Sequence, residues 1–140
     1  MKGDKIPDQH HISRYCKSTH TSDGQIQATA FMLRLGEERL SVNCLELLNC
    51  SSREGEIVQL RTIYASKLSV GARAIIAILN VGEVRNHVLT ESPDRRNLEV
   101  LHDPQSGDPS HSGIYNLRGN DELIAELILE TIRETYNARA

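Results

Sequence analysis

The stretch that most constrains the fold is AIIAIL at residues 74–79, the longest unbroken apolar run in the chain. Crossing a bilayer takes about 20 apolar residues, so this run is not a membrane span. It is β-branched, with isoleucine at Ile75, Ile76 and Ile78, and it sits inside the longer ARAIIAILNV, residues 72–81. That pattern reads as a buried central strand rather than one with a face in water. Other elements must therefore cover it, and 140 residues are enough to do so within one domain.

The covering elements are read from periodicity. Residues 27–35, QATAFMLRL, alternate in a way that predicts a strand, and residues 39–43, RLSVN, predict a second. Gly36, Glu37 and Glu38 between them suggest a hairpin. Ser51 followed by Glu54 fits a capping box. Ile57, Leu60, Tyr64 and Leu68 then recur at helical spacing, predicting a helix from about 52 to 67. After a turn at Gly82 and Glu83 the residues 84–89 suggest a further strand, and 98–101 another. Asn120 is placed as the cap of a last helix whose apolar stripe is Leu123, Ile124, Leu127, Ile128, Ile132 and Tyr136. The order predicts an α+β fold: a mainly antiparallel sheet of about five strands packed against two helices. Residues 1–9 are expected to be a flexible arm, and 10–140 a single α+β domain.

Charge and cysteine usage narrow the function classes. A net charge of −3 argues against nucleic acid bound through bulk charge. The N-terminal MKGDKIPDQHH has no apolar core and is not a signal peptide. Three cysteines at irregular spacing, with no CxxC pair, fit reduced thiols and a cytoplasmic chain better than a disulfide framework. Neither GxGxxG nor GxxxxGK[ST] occurs, nor GxSxG, HExxH or an EF-hand loop.

Chemistry concentrates in residues 97–114, NLEVLHDPQSGDPSHSGI. A short strand runs into a loop that carries His102, Asp103, Asp108, Ser110 and His111, punctuated by Pro104, Gly107, Pro109 and Gly113. Two imidazoles that titrate near neutrality, with two carboxylates to orient them, make His102, His111, Asp103 and Asp108 candidate catalytic groups. Ser110 is a candidate hydrogen-bond donor. Asp-Pro and Ser-Gly are also ordinary turn chemistry, so the same residues fit a plain connection. In RYC, Arg14 suits an anion through its planar fork, with Tyr15 beside it. Asn43, closing LSVN, is a candidate to point into the same cleft. His11, Cys16 and His20 approach zinc spacing but lack the paired motif of structural sites, so no metal ligand is assigned; a divalent ion is the only cofactor entertained. Cys44 and Cys50, set among leucines, are expected to be inert buried thiols. The segments RYC, LSVN and LHDPQSGDPSHSGI look like the signature of a small bacterial protein family, one to which no activity is attached.

Two function classes lead, and the first is preferred. One is a soluble accessory or interaction domain of a larger bacterial assembly, with a protein partner or a second copy engaging the arm and loop. The other is a small enzyme acting on a phosphate-bearing or nucleotide-like ligand, in which Arg14 binds the anion and His102 or His111 moves a proton. A nucleic-acid module ranks below both, and no membrane partner is expected. Convergence of Arg14, His102, Asp108 and His111 in one pocket would favour the enzyme.

Overall fold

The apolar run forms an interior strand of a six-stranded sheet in the computed structural model, which describes all 140 residues. In chain order the elements are β1 (His11–Cys16), the short pair β2 (Thr21–Ser22) and β3 (Gln25–Ile26), β4 (Leu40–Cys44), α1 (Arg53–Lys67) and β5 (Ile75–Asn80). Then follow α2 (Val81–Glu91), β6 (Glu99–His102), β7 (His111–Tyr115), α3 (Glu122–Leu129) and β8 (Glu134–Asn137). The strand order is β6-β7-β4-β1-β5-β8, and every neighbouring pair is antiparallel. The fold is thus α+β with an antiparallel sheet, built from six strands and three helices rather than about five and two.

Side-chain alternation along β5 explains its composition. Ile76 and Ile78 pack with Ile57, Leu60 and Tyr64 of α1 on one face. Ala77 and Leu79 pack on the other with Val84 and Val88 of α2 and Ile124 and Ile128 of α3. Neither face of β5 meets water, so neither can carry polar residues. No helix is long and apolar enough to cross a membrane.

Several local expectations differ from the structure, each for a tertiary reason. Residues 27–35 form no strand; a 3-10 turn, Ala28–Phe31, buries Ala30 and Phe31 in the α2/α3 core while Leu35 stays fully exposed. The expected hairpin has no edge to use, because β4 is already paired on one side by β1 and on the other by β7. β1 itself carries little signal, its apolar positions being separated by His11, Ser13 and Arg14. Residues 84–89 are helical, not extended. The Asn80 side chain accepts the Glu83 N–H at 2.9 Å, so β5 passes directly into α2. Val81, Val84 and Val88 then share one helical face, and spacing overrides β propensity. The cap of α1 is Ser52, one residue later than expected, accepting from the Gly55 N–H at 3.1 Å.

The last helix is shorter than its stripe implied. It starts after Asp121 and ends at Leu129, and Arg133 N–H then donates to Ile78 O at 2.9 Å, which opens β8 along β5. Tyr136 lies opposite Ile76 in that pairing. Without β8 the open side of β5 would leave ladder groups unpaired. The N-terminal segment expected as an arm lies along β6: Gly3 N–H donates to His102 O at 2.7 Å and Ile6 N–H to Val100 O at 2.9 Å, with the Ile6 side chain buried.

Leu127 and Leu123 of α3 test the packing against each other. Leu127 is buried and Leu123 is 48% exposed. Leu127→Ala is expected to cost about 2–5 kcal/mol in denaturant unfolding, and Leu123→Ala about 0.5 kcal/mol or less. Equal losses would contradict the orientation of the helix.

Candidate functional site

Three strands and one helix end converge on a cleft over the α1 face of the sheet. Asn43 of β4 stands opposite both Ser13 of β1 and His111 of β7. These side chains therefore share a face, and the last turn of α1 brings Tyr64 and Lys67 over them. The cleft has a volume of about 240 Å³, and its walls include Arg14, Tyr15, Asn43, Tyr64, Lys67 and His111. Lys17, His20 and Arg34 extend the rim, and Met32 and Leu68 supply apolar contact. Four of the lining residues are cationic, Arg14, Lys17, Arg34 and Lys67, and no carboxylate lines the space.

The carboxylate that matters lies behind the wall. Asp108 is fully buried and accepts from Lys67 Nζ at 2.7 Å, from Asn43 Nδ2 at 2.8 and 3.0 Å, and from Ser110 Oγ at 3.0 Å. Burial pushes its carboxyl up, but the bonds from Lys67, Asn43 and Ser110 outweigh it and hold the group below the ordinary carboxylate range. The network fixes the ends of Lys67 and Asn43 at the cleft floor. It also occupies Ser110 Oγ, which is buried and takes a further bond from Asn43 Nδ2 at 2.9 Å. Ser110 is thus a member of the scaffold.

His111 is the proton-transfer candidate that reaches the cleft. Its Nδ1 lies 2.8 Å from the backbone oxygen of Asp103. A carbonyl only accepts, so Nδ1 carries the proton, and Nε2 is left as a free acceptor. Burial, with Lys67 nearby, draws His111 below the usual histidine value despite the bond to Asp103. At neutral pH the ring is therefore an uncharged base. Arg14 donates from Nε to Ala30 O and from Nη1 to Ser41 O, both at 2.9 Å, and forms no ion pair. Burial lowers its pKa, so an arriving anion would meet a guanidinium short of solvation. Tyr15 packs on Tyr64 with ring centroids 5.2 Å apart, and Tyr64 Oη pairs with Ser13 Oγ at 2.8 Å.

The structure thus brings together Arg14, Tyr15, Asn43 and His111 at the cleft, with Asp108 and Ser110 directly behind, and leaves His102 and Asp103 out. His102 Nε2 donates to Pro109 O at 2.8 Å, and its Nδ1 lies 3.1 Å from the N-terminal amine. Asp103 pairs with Arg39 at 2.7 Å. Arg39 reaches it across Gly113, where a Cβ would lie 2.8 Å from the arginine Cδ. Lys67, Arg34 and Lys17 were not anticipated. Lys67 closes a helix, where a lysine ordinarily complements the dipole and so gives no functional signal. Cys44 points to the other face of the sheet, fully buried, its thiol pushed up to about 11 chiefly by burial; it is not an activated nucleophile.

The depressed carboxyl of Asp108 gives a stability that is complete above the unfolded carboxylate pKa, near 3.9. It is lost as pH falls through the lower folded value. Asp108→Asn should therefore flatten the acid limb of a stability-against-pH curve, and an unchanged limb would remove Asp108 as its source. Comparison of the chain with protein-family models, with curated proteins and with solved structures finds no match.

Proposed function

We propose that the protein is a small enzyme that binds a phosphate-bearing substrate in the β1–β4–β7 cleft and uses His111 as its general base. The observation that carries this is the gathering of four cations with His111, whose Nδ1 proton is fixed by the Asp103 carbonyl, in a space lined by no carboxylate. Arg14 and Lys67 supply donors for phosphate oxygens, Arg14 through a planar fork and Lys67 as a point charge fixed by Asp108. His111 Nε2 takes a proton from a water whose oxygen bonds to phosphorus as the ester P–O bond breaks, and the leaving oxygen takes up a proton, from the imidazolium or from solvent. The base acts directly on the attacking oxygen, and the step is written without a covalent intermediate. The size sets the scale of ligand: about 240 Å³ lies under the 300–1,000 Å³ typical of drug-sized ligands. It suits a phosphate monoester or a mononucleotide with its organic part against Tyr15, Met32 and Leu68.

In the other reading, a domain that engages a protein partner, residues 1–5 and 104–107 supply the exposed surface, although residues 3–6 dock on β6 and Asp103, Asp108, Ser110 and His111 are buried.

Titration with inorganic phosphate and nucleoside monophosphates is expected to show saturable binding that weakens with salt. Arg14→Gln should raise Kd by about tenfold or more, the scale of a lost charge-assisted hydrogen bond. Lys17→Ala, at an exposed position, should weaken binding without affecting the melt. His102→Ala should leave it unchanged. Turnover of a phosphoester panel should vanish in His111→Gln with binding kept. The rate should fall as pH drops, with its inflection below the usual histidine value of about 6.5. Binding without turnover of any member would make the cleft a ligand-binding site and not an active site. No saturable binding at millimolar ligand would overturn both.

A further inference from the structure

The other face of β4 carries a second constellation. His10, Cys44 and Glu46 place one donor atom each, an imidazole nitrogen, a sulfur and a carboxylate oxygen, all within 4.8 Å of one another. Cys44 Sγ lies 3.9 Å from His10 Nδ1 and 3.8 Å from Glu46 Oε1. Tetrahedral zinc, with sulfur at about 2.3 Å and nitrogen or oxygen at about 2.0–2.1 Å, spaces its ligands roughly 3.3–3.7 Å apart. The two sulfur distances exceed that by a few tenths of an ångström, within the reach of small rotations. We propose that His10, Cys44 and Glu46 bind one divalent transition-metal ion of the zinc class, independently of the phosphate cleft.

The donors are held in place by groups that remain free to hold them with an ion bound. The Glu46 carboxylate accepts from His11 N–H and lies against His11 Nδ1, both at 2.8 Å, leaving further lone pairs on Oε1. The backbone of His10 is fixed by Val81 N–H and Asn80 Nδ2, at 3.0 and 3.2 Å from its carbonyl. Cys44 N–H donates to Ser110 O at 2.9 Å. Soft sulfur with imidazole and carboxylate selects a zinc-like ion over magnesium or calcium. On binding, the Cys44 thiol gives its proton to solvent and the sulfur becomes the ligand, and water fills the fourth position. The ion would tie the start of β1 to the end of β4.

Cobalt(II) titration of the full chain is the test. One equivalent should bind, with a thiolate-to-cobalt charge-transfer band and a raised melting temperature, and zinc should displace it. His10→Ala and Glu46→Gln, at half-buried positions, should each weaken binding at least tenfold, and Cys44→Ser should abolish the charge-transfer band. Phosphate binding in the cleft should be untouched by His10→Ala. Absence of a charge-transfer band in the unaltered protein overturns the proposal. So does a band that survives both His10→Ala and Glu46→Gln with unchanged affinity, because the ion would then sit on other thiols.

Discussion

The structure depends on one buried charge. Asp108 lies at the end of the 103–110 loop, and its carboxylate is taken up by Lys67 at the end of α1, Asn43 on β4 and Ser110 on the approach to β7. A carboxylate without partners at full burial would cost several kcal/mol and would protonate instead. Three donors from three elements remove that cost only if the helix end, the strand and the loop hold one arrangement. The same bonds that register α1 over the sheet therefore also form the floor of the cleft. Removing one partner is the expensive operation, since it strands the charge.

That arrangement also decides the electrostatics of the cleft. Asp108 spends its charge on Lys67 from behind, so the wall facing solvent shows donors and no acceptor carboxylate. Arg34 shares its charge with Glu37 at 3.4 Å, but Arg14 has only backbone carbonyls as partners. A chain with net charge −3 thus carries a locally cationic pocket, which a whole-chain charge argument has no means of detecting.

How much of this could be read from the sequence follows from which signals are local. Ile75 to Leu79 announced a buried strand because burial on both faces leaves no room for polar side chains. Ile57, Leu60 and Tyr64 announced α1 because spacing on a helix is a local property. α2 departs from the strand expected at residues 84–89 because Val84 and Val88 favour strands in isolation, whereas the Asn80 cap and the packing against α3 decide otherwise. Phe31 lies in a 3-10 turn and not a strand, because its alternating neighbours carry no information on the missing sheet edge. At the site, Asn43 and His111 stand opposite each other across β4 and β7, whereas Arg14 leaves β1 on the other face and reaches the cleft wall held by Ala30 O and Ser41 O. Lys67 and Arg34 were invisible, since a surface lysine and a site lysine have the same sequence context.

The loop of residues 102–111 shows how far environment separates groups that are alike on paper. It presents two imidazoles and two carboxylates, and each pair divides. His102 sits near the surface between Pro109 and the N-terminal residue, so its ring acts as a latch between segments. His111, nine residues later and buried, keeps one nitrogen on the Asp103 carbonyl and the other free. Asp103 is neutralised by Arg39, which can cross β7 because Gly113 has no side chain. Asp108 is neutralised by Lys67 and holds the donors of the cleft. The backbone of Asp103 and the side chain of Asp108 thus fix, respectively, the tautomer of His111 and the position of Lys67. The tautomer of His111 and the position of Lys67 are therefore set by a single loop closing over β4, whereas Arg14 is held by Ala30 O and Ser41 O. In the function proposed above, a change in that loop's conformation would disturb the His111 base and the Lys67 cation together.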